Sequence, residues 1–418
     1  MNYLITLLFL LLTSSANFLA LNDTSWFVIM LLMLGYVLVK KLLVKRDLKV
    51  MAIFLVVYLA YVGIRYVFLT NAVDGFSNMG TEFLLSDIIF PFKYVLLAFI
   101  YIVIVRDQAL ENIVNVMVHL TIISLVLFAV QIVAGDAIYG ASEAIGISPK
   151  GIGIPGYTNF IIFTFTEGRH DFRNSGFVWE PGAFGCFLII AILFNFFRNK
   201  FKFDKKAIIL IIGLITTFST TDYIAFLLML FMIYRYRVPK LNLWVLIMIP
   251  AFIVLIIVVP FLGQKIADIY IDDIKGLDAL RHYSKEHVKH ADQIPLNRFA
   301  SMIYLWDNLG WNLFLGVSNK YDAIINTNYT INISNGIFDF FAKFGFMGFV
   351  YLIYSYARFC GAFIKRNELK VYCVLILLLI GFGEPIMFLP ITLLFLFLPL
   401  ITNIGDKDGE KSNNPELA

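Results

Sequence analysis

"AIILIIGLITTFSTTDYIAFLLMLFMIY" runs from Ala207 to Tyr234. These 28 residues are apolar except for a central "TTFSTTD" at 216–222. Basic segments bound the stretch on both sides: "RNKFKFDKK" (Arg198–Lys206) and "RYRVPK" (Arg235–Lys240). The excess of Lys and Arg in short loops places both on the cytoplasmic side of a membrane. The chain must then leave and return within one short run. Each half offers about 13 residues, roughly 20 Å of helix against a hydrocarbon core of roughly 30 Å. Such an apex is tolerated only where protein or a wet cavity covers it. Asp222 lies at that apex. The same problem recurs at 371–403 around "GFGEPIM" (Gly381–Met387).

The whole chain carries the same character. It has 418 residues, of which 60% are hydrophobic and 15% charged, and a mean hydropathy of +0.83. A soluble domain carries far more charge. The fold class expected is an all-α, polytopic membrane helical bundle. About twelve apolar runs are candidate spans: 3–20, 24–40, 50–70, 88–105, 112–134, 178–197, 207–219, 222–234, 243–262, 337–357, 371–383 and 386–403. "KKLLVKRDLK" (Lys40–Lys49) and "RFCGAFIKRNELK" (Arg358–Lys370) join the basic inner loops, which puts both termini inside. Residues 1–403 read as a single transmembrane domain with two large outer loops, 135–174 and 263–336. Residues 404–418 read as a polar cytoplasmic tail. Within the second loop, Phe299, Met302, Ile303, Leu305 and Trp306 recur at helical spacing, as in an amphipathic helix near the interface.

Several chemistries are disfavoured. The net charge of +4 comes from basic inner loops and does not point to nucleic acid. No phosphate-cradling glycine loop occurs. Cys186, Cys360 and Cys373 form no metal or redox spacing. His119 reads as a packed residue in an apolar helix, and His282, His287 and His290 as part of a solvated loop. No cofactor and no metal site are expected.

The remaining charges are out of place in apolar runs. Arg65, Asp87, Lys93, Glu180, Asp222, Asp339, Lys343 and Glu384 all map towards the outer face. Charges in spans face an interior or a wet cavity and mark function by default. "RNSGFVWEPGAFG" (Arg173–Gly185) opens one span with Glu180-Pro181, and "GFGEPIM" repeats the device at Glu384-Pro385. Proline suits a first helical turn, and exposed helix N–H groups favour a negative cap. Gly182, Ala183 and Gly185 admit close helix approach.

Four segments carry a resemblance: "RNSGFVWEPGAFG" (173–185), "LITTFSTTDYIAFLL" (214–228), "NRFASMIYLWDNLGWNLFLGVS" (297–318) and "SNGIFDFFAKFGFMGF" (334–349). In this order they resemble the bacterial O-antigen and capsule polymerases, the Wzy-type proteins, within the superfamily that includes O-antigen ligases. The resemblance implies a multi-pass protein of the bacterial inner membrane. It would be a metal-independent glycosyltransferase moving a growing glycan from undecaprenyl diphosphate onto the next lipid-linked repeat unit. The implied partners are that lipid-linked oligosaccharide, membrane lipid, a chain-length regulator and a flippase. Ser334-Asn335 stands where ligases commonly have His-Asn, which favours polymerase over ligase; a transporter of the same glycan is the non-enzymatic alternative. Arginine forks suit a leaving diphosphate and a carboxylate suits an acceptor hydroxyl's proton. Arg173 and Arg298 are the expected charge stabilisers and Glu180 the expected base. Arg65, Trp179, Asp222, Asn335, Asp339 and Glu384 complete the residues expected to contact substrate.

Overall fold

The computed structural model describes residues 1–72, 76–145, 157–166, 172–238, 294–296, 298–321 and 331–402, with isolated positions between 270 and 277. The expected span at 243–262, the histidines of the second loop and the tail 404–418 lie outside these residues. Among the described residues the regular structure is helical, apart from two ladders of three residues per strand. Tyr157–Asn159 pairs antiparallel with Thr164–Thr166, and Ile294–Leu296 pairs parallel with Ile331–Ile333.

The helices are α1 (Asn2–Thr13), α2 (Phe18–Leu21), α3 (Asp23–Val39), α4 (Lys45–Ala72), α5 (Phe76–Phe90), α6 (Leu96–Val105), α7 (Ala109–Ile145), α8 (Pro181–Arg198), α9 (Lys205–Thr216) and α10 (Thr220–Arg237). Within the second loop lies α11 (Arg298–Leu309), and α12 (Gly336–Gly361), α13 (Asn367–Gly383) and α14 (Pro390–Ile401) follow. Among the described residues, four helical stretches are long and apolar enough to cross a membrane: Lys45–Thr70, Gly80–Gly135, Pro181–Arg198 and Gly336–Gly361. This makes the chain a multi-pass membrane protein and corrects the expectation of about twelve spans.

The difference lies in where helices stop. Hydropathy marks the apolar runs, but several break early. α1, α9 and α14 have 12 residues each, about 18 Å of helix. Ser15 takes φ +51° and interrupts the first run. The runs expected as spans four and five belong to one helical stretch, Gly80–Gly135, in which Arg106 takes φ +50°. The 207–234 stretch does break at its Thr-rich centre, between α9 and α10.

α8 forms the central column. Of its spanning window 94% is buried, against 22% for α4. Phe184, Phe187, Phe194 and Phe196 of α8 are fully enclosed. α7, α9 and α10 pack around it, and its C-terminal end meets a basic cluster. There Arg235 pairs with Glu368 at 2.7 Å, Arg366 Nη1 donates to the Arg235 carbonyl at 2.8 Å, and Arg237 Nη2 donates to the Phe201 carbonyl at 3.0 Å. Asp204 caps α9 through the Ala207 N–H at 2.9 Å and accepts the Asn195 amide at 2.7 Å. Burial pushes this carboxyl up, but those hydrogen bonds outweigh it and hold it below the ordinary aspartate value. A depressed folded value means the cap stabilises above the unfolded pKa and is lost as pH falls through the folded one.

The second loop is locked down at a glycine pair. Gly316 (φ +73°) and Gly345 (φ +66°) lie backbone to backbone, and a Cβ on either would strike the other segment. Val317 N–H donates to the Ala342 carbonyl at 2.7 Å, and the Tyr61 hydroxyl bridges the Leu315 and Phe344 carbonyls. Gly345 thereby breaks the regular turn of α12. α11 is the expected helix, but it buries Ala300, Ser301, Leu305 and Leu309, while Trp306 points outwards. The sequence had placed Phe299, Met302 and Ile303 on the apolar face. Polar Ser301 fills a buried place because the adjoining segment is close: the Ser334 N–H reaches its hydroxyl at 3.3 Å.

Gly345→Ala is expected to cost roughly 2 kcal/mol or more, since it adds left-handed strain to a backbone collision. Thermal unfolding in detergent checks this; an unchanged Tm would mean the two segments do not meet.

Candidate functional site

Four separated segments converge at the N-terminal end of α8. Pro181 begins the helix, and Glu180 occupies the cap position with extended backbone. Its carboxylate makes no capping bond to the helix. Instead it accepts the Trp179 indole N–H at 3.0 Å. A mere helix start does not account for Glu180.

Glu384 follows the last residue of α13. Its side chain is buried against Gly182, where a Cβ would collide with the carboxylate. One turn further along α8, a Cβ on Gly185 would collide with the carboxylate of Asp222. The two glycines, three apart, therefore form slots for two carboxylates on one helix face. Cys186 adjoins them and donates its thiol to Asp222 Oδ1 at 3.5 Å. Among the described residues, Asp222 Oδ2 and Glu384 Oε2 are buried without a hydrogen-bond partner. Native structures seldom leave such atoms unpaired, and each calls for an explanation.

Two arginines reach this cluster. Arg298, the first residue of α11, donates Nε to the Gly383 carbonyl at 2.9 Å and places Nη2 3.4 Å from Glu384 Oε1. These contacts use two of the five N–H groups a guanidinium carries. Asn335 holds the arginine's backbone, with Nδ2 donating to the Arg298 carbonyl at 3.1 Å. The same Asn335 caps α12 through the N–H groups of Ile337 and Phe338 at 3.1 and 3.2 Å. Gly336, next in sequence, abuts the backbone of Gly381 and Glu384. Arg173 comes from the other side, with Nε donating to the Thr217 carbonyl at 3.0 Å. Asn174 N–H takes the Thr216 carbonyl at 2.9 Å. These bonds satisfy the exposed carbonyl end of α9, which is how the short apex is accommodated. Asp222 lies in the electrostatic field of both Arg298 and Arg173.

Arg65 and Asp339 belong to a different network. Arg65 pairs with Asp87 and donates to the Lys343 carbonyl at 2.5 Å. Asp87 also accepts from Ser318 and from Asn319. Asp339 pairs with Lys343 at 2.7 Å and accepts the Tyr321 hydroxyl at 2.8 Å. Here the charges have protein partners, and they tie α4, α5 and α12 to the 315–321 segment. Of the nine expected site residues, seven gather at α8 and two do not. Sequence reasoning did not single out Cys186 or Thr217 for the site; their signal was only proximity to charges in an apolar run. His119 is exposed and within 3.0 Å of the Tyr3 hydroxyl rather than packed. Among the described residues, no three His, Cys, Asp or Glu side chains are grouped to hold a metal ion.

No family model, curated protein or solved structure matches the chain.

Gly185→Ala is expected to push Asp222 out of its slot, lower the Tm and expose the buried Cys186 to a maleimide. Gly35→Ala is the control, because nothing lies within 4 Å of its Cβ position; it should raise stability by up to about 1 kcal/mol through helix propensity alone. Equal behaviour of the two variants would dissolve the carboxylate slot.

Proposed function

We propose that the chain is a polysaccharide polymerase of the Wzy type, in the bacterial inner membrane. It would transfer a growing glycan from undecaprenyl diphosphate to a lipid-linked repeat unit. One observation carries this reading: two arginines from distant segments share a cluster with three carboxyls at one end of the central helix. The opposite end of that helix meets the Arg235, Arg237 and Arg366 cluster. Under the K/R rule that basic end is cytoplasmic, so the candidate site lies towards the outer face, where lipid-linked glycans would be polymerised.

The chemistry follows from the residues. As the glycosidic bond to diphosphate breaks, negative charge grows on the leaving oxygen. Guanidinium groups stabilise it best when already held in place. Arg298 is held by Gly383 and Asn335, and Arg173 by Thr217. The acceptor hydroxyl loses its proton as it attacks, and Glu180 is the base. It is partly exposed, while Asp222 and Glu384 are buried behind it. Ser334 in place of a histidine favours a polymerase over a ligase.

Glu180→Gln keeps size and polarity but cannot take a proton. It is expected to cut polymerisation by about 10²- to 10⁴-fold, leaving single repeat units and no long chains, at normal protein abundance in the membrane. Chain-length analysis of surface and lipid-linked glycan reads this out. Normal long chains would remove Glu180 from catalysis. Repeat units trapped on the cytoplasmic leaflet would identify a transporter instead.

A further inference from the structure

A lateral groove lies away from the α8 cluster. α4 and α12 both pack on α14 and make little contact with each other. Between them is a cavity of about 610 Å³, within the roughly 300–1,000 Å³ of ligand sites. On α4 it is lined at Val50, Phe54, Val57 and Tyr61, positions that share one stripe of the helix. Leu393, Phe397 and Leu400 of α14 line it too, and so do Gly348 and Tyr351 of α12. Val57 and Tyr351 are exposed, so the groove opens sideways, where lipid would be.

The two ends of the groove differ. At the outer end the Tyr58 hydroxyl donates to the Asp87 carbonyl at 2.9 Å, and the Tyr61 hydroxyl joins the Leu315 and Phe344 carbonyls. One turn beyond, Arg65 pairs with Asp87. Those polar groups are tied to one another and close that end. At the inner end the stripes run on into arginines. Arg46 stands one turn before Val50 on α4, and Arg358 two turns after Tyr351 on α12. Both are exposed, and among the described residues neither has an acidic partner. Asp47, next to Arg46, is taken by Arg106 at 2.9 and 2.5 Å and does not offset it. From Val50 to Tyr61 the groove runs about 16 Å by helix rise, close to one leaflet of a hydrocarbon core of roughly 30 Å. The Lys40–Lys49 and Arg358–Lys370 segments are cytoplasmic under the K/R rule, so that leaflet is the cytoplasmic one.

We propose that the groove between α4 and α12 holds one acyl chain of an anionic phospholipid from the cytoplasmic leaflet, with the lipid phosphate at Arg46 and Arg358. Guanidinium groups present paired N–H donors to phosphate oxygens, and basic pockets between helices on the cytoplasmic side suit anionic headgroups. The chain covers apolar wall of α4, whose spanning window is the least buried of the four. A chain entering from the outer face, such as a polyprenyl tail, meets the closed Tyr61 end. The bound lipid thereby wedges α4 in place, and α4 carries Tyr61 and Arg65 to the 315–321 segment. This inference does not depend on the polymerase reading.

Native mass spectrometry of the full chain in detergent tests this, by titration with palmitoyl-oleoyl phosphatidylglycerol and with phosphatidylcholine of the same chains. One phosphatidylglycerol molecule should bind about tenfold or more tighter than phosphatidylcholine. A basic side chain at an anionic headgroup is worth about fivefold in affinity. Arg46→Gln and Arg358→Gln should each weaken phosphatidylglycerol by about that factor and leave phosphatidylcholine unchanged. Lys45→Gln removes the same charge from the opposite side of α4 and should change neither. Val57→Trp fills the groove and should weaken both lipids alike. Equal affinity of the unsubstituted chain for the two lipids overturns the proposal, with no variant whose folding could blur the result. A phosphatidylglycerol preference that survives both arginine substitutions puts the headgroup elsewhere and overturns it too. Undecaprenyl phosphate is the third probe. If it displaces the bound lipid, is blocked by Val57→Trp and ignores both arginines, the groove belongs to a polyprenyl chain and the proposal fails.

Discussion

Glu384 is the pivot of the molecule. A carboxylate is driven into the wall of an almost fully buried apolar helix, at a slot cut by Gly182. Burying that charge would be prohibitive without partners close at hand. The partners come from everywhere except its own helix. Arg298 comes from the start of α11, and Gly336 of α12 packs on the backbone of Glu384. Meeting this one requirement draws the second outer segment down onto the transmembrane core. It also explains why the turns on either side are rich in glycine and proline. Side chains there would keep the backbones from approaching.

A second consequence concerns rigidity. Arg298 is held at both ends, its guanidinium by Gly383 and its carbonyl by Asn335. Asn335 in turn is fixed by capping α12. Arg173 is held by the end of α9. Charged groups fixed in advance need no reorganisation when charge develops on a substrate, which is the source of most electrostatic catalysis. The separate network of Arg65, Asp87, Asp339 and Lys343 works at a distance. It staples α4 and α5 to the 315–321 segment that sits against Gly345, and so supports the position of α11 from behind. Removing it would loosen the scaffold without touching the reacting groups.

The candidate site was largely legible in the sequence because charges are expensive in apolar runs and stand out there. Arg173, Glu180, Asp222 and Glu384 were visible for that reason, and their meeting at α8 follows from the Glu-Pro starts and the small residues beside them. Pairing was not legible. Nothing in the sequence separates Arg65, bound to Asp87, from Arg298, bound to Glu384. The membrane-crossing pattern was over-read for a different physical reason. Hydropathy reports which residues avoid water, and it is silent on where a helix ends. Ser15 takes left-handed backbone inside an apolar run and Arg106 between two of them, and the short α14 is buried while α1 and α9 each bury one face. An apolar run buried against protein looks the same as one facing lipid. α11 shows the converse, since its buried face is set by small residues, Ala300 and Ser301, which a hydrophobic pattern overlooks.

The central claim is that Arg298 and Glu384, far apart in sequence, are one energetic unit beneath α8. A double-mutant cycle measures that unit directly. Arg298→Gln, Glu384→Gln and the double variant would be unfolded in the same detergent alongside the unsubstituted chain. If the contact is as described, the double variant loses less stability than the two single losses combined, by about 1 kcal/mol or more. Additivity within about 0.3 kcal/mol would contradict it, and would separate the second outer segment from the site altogether.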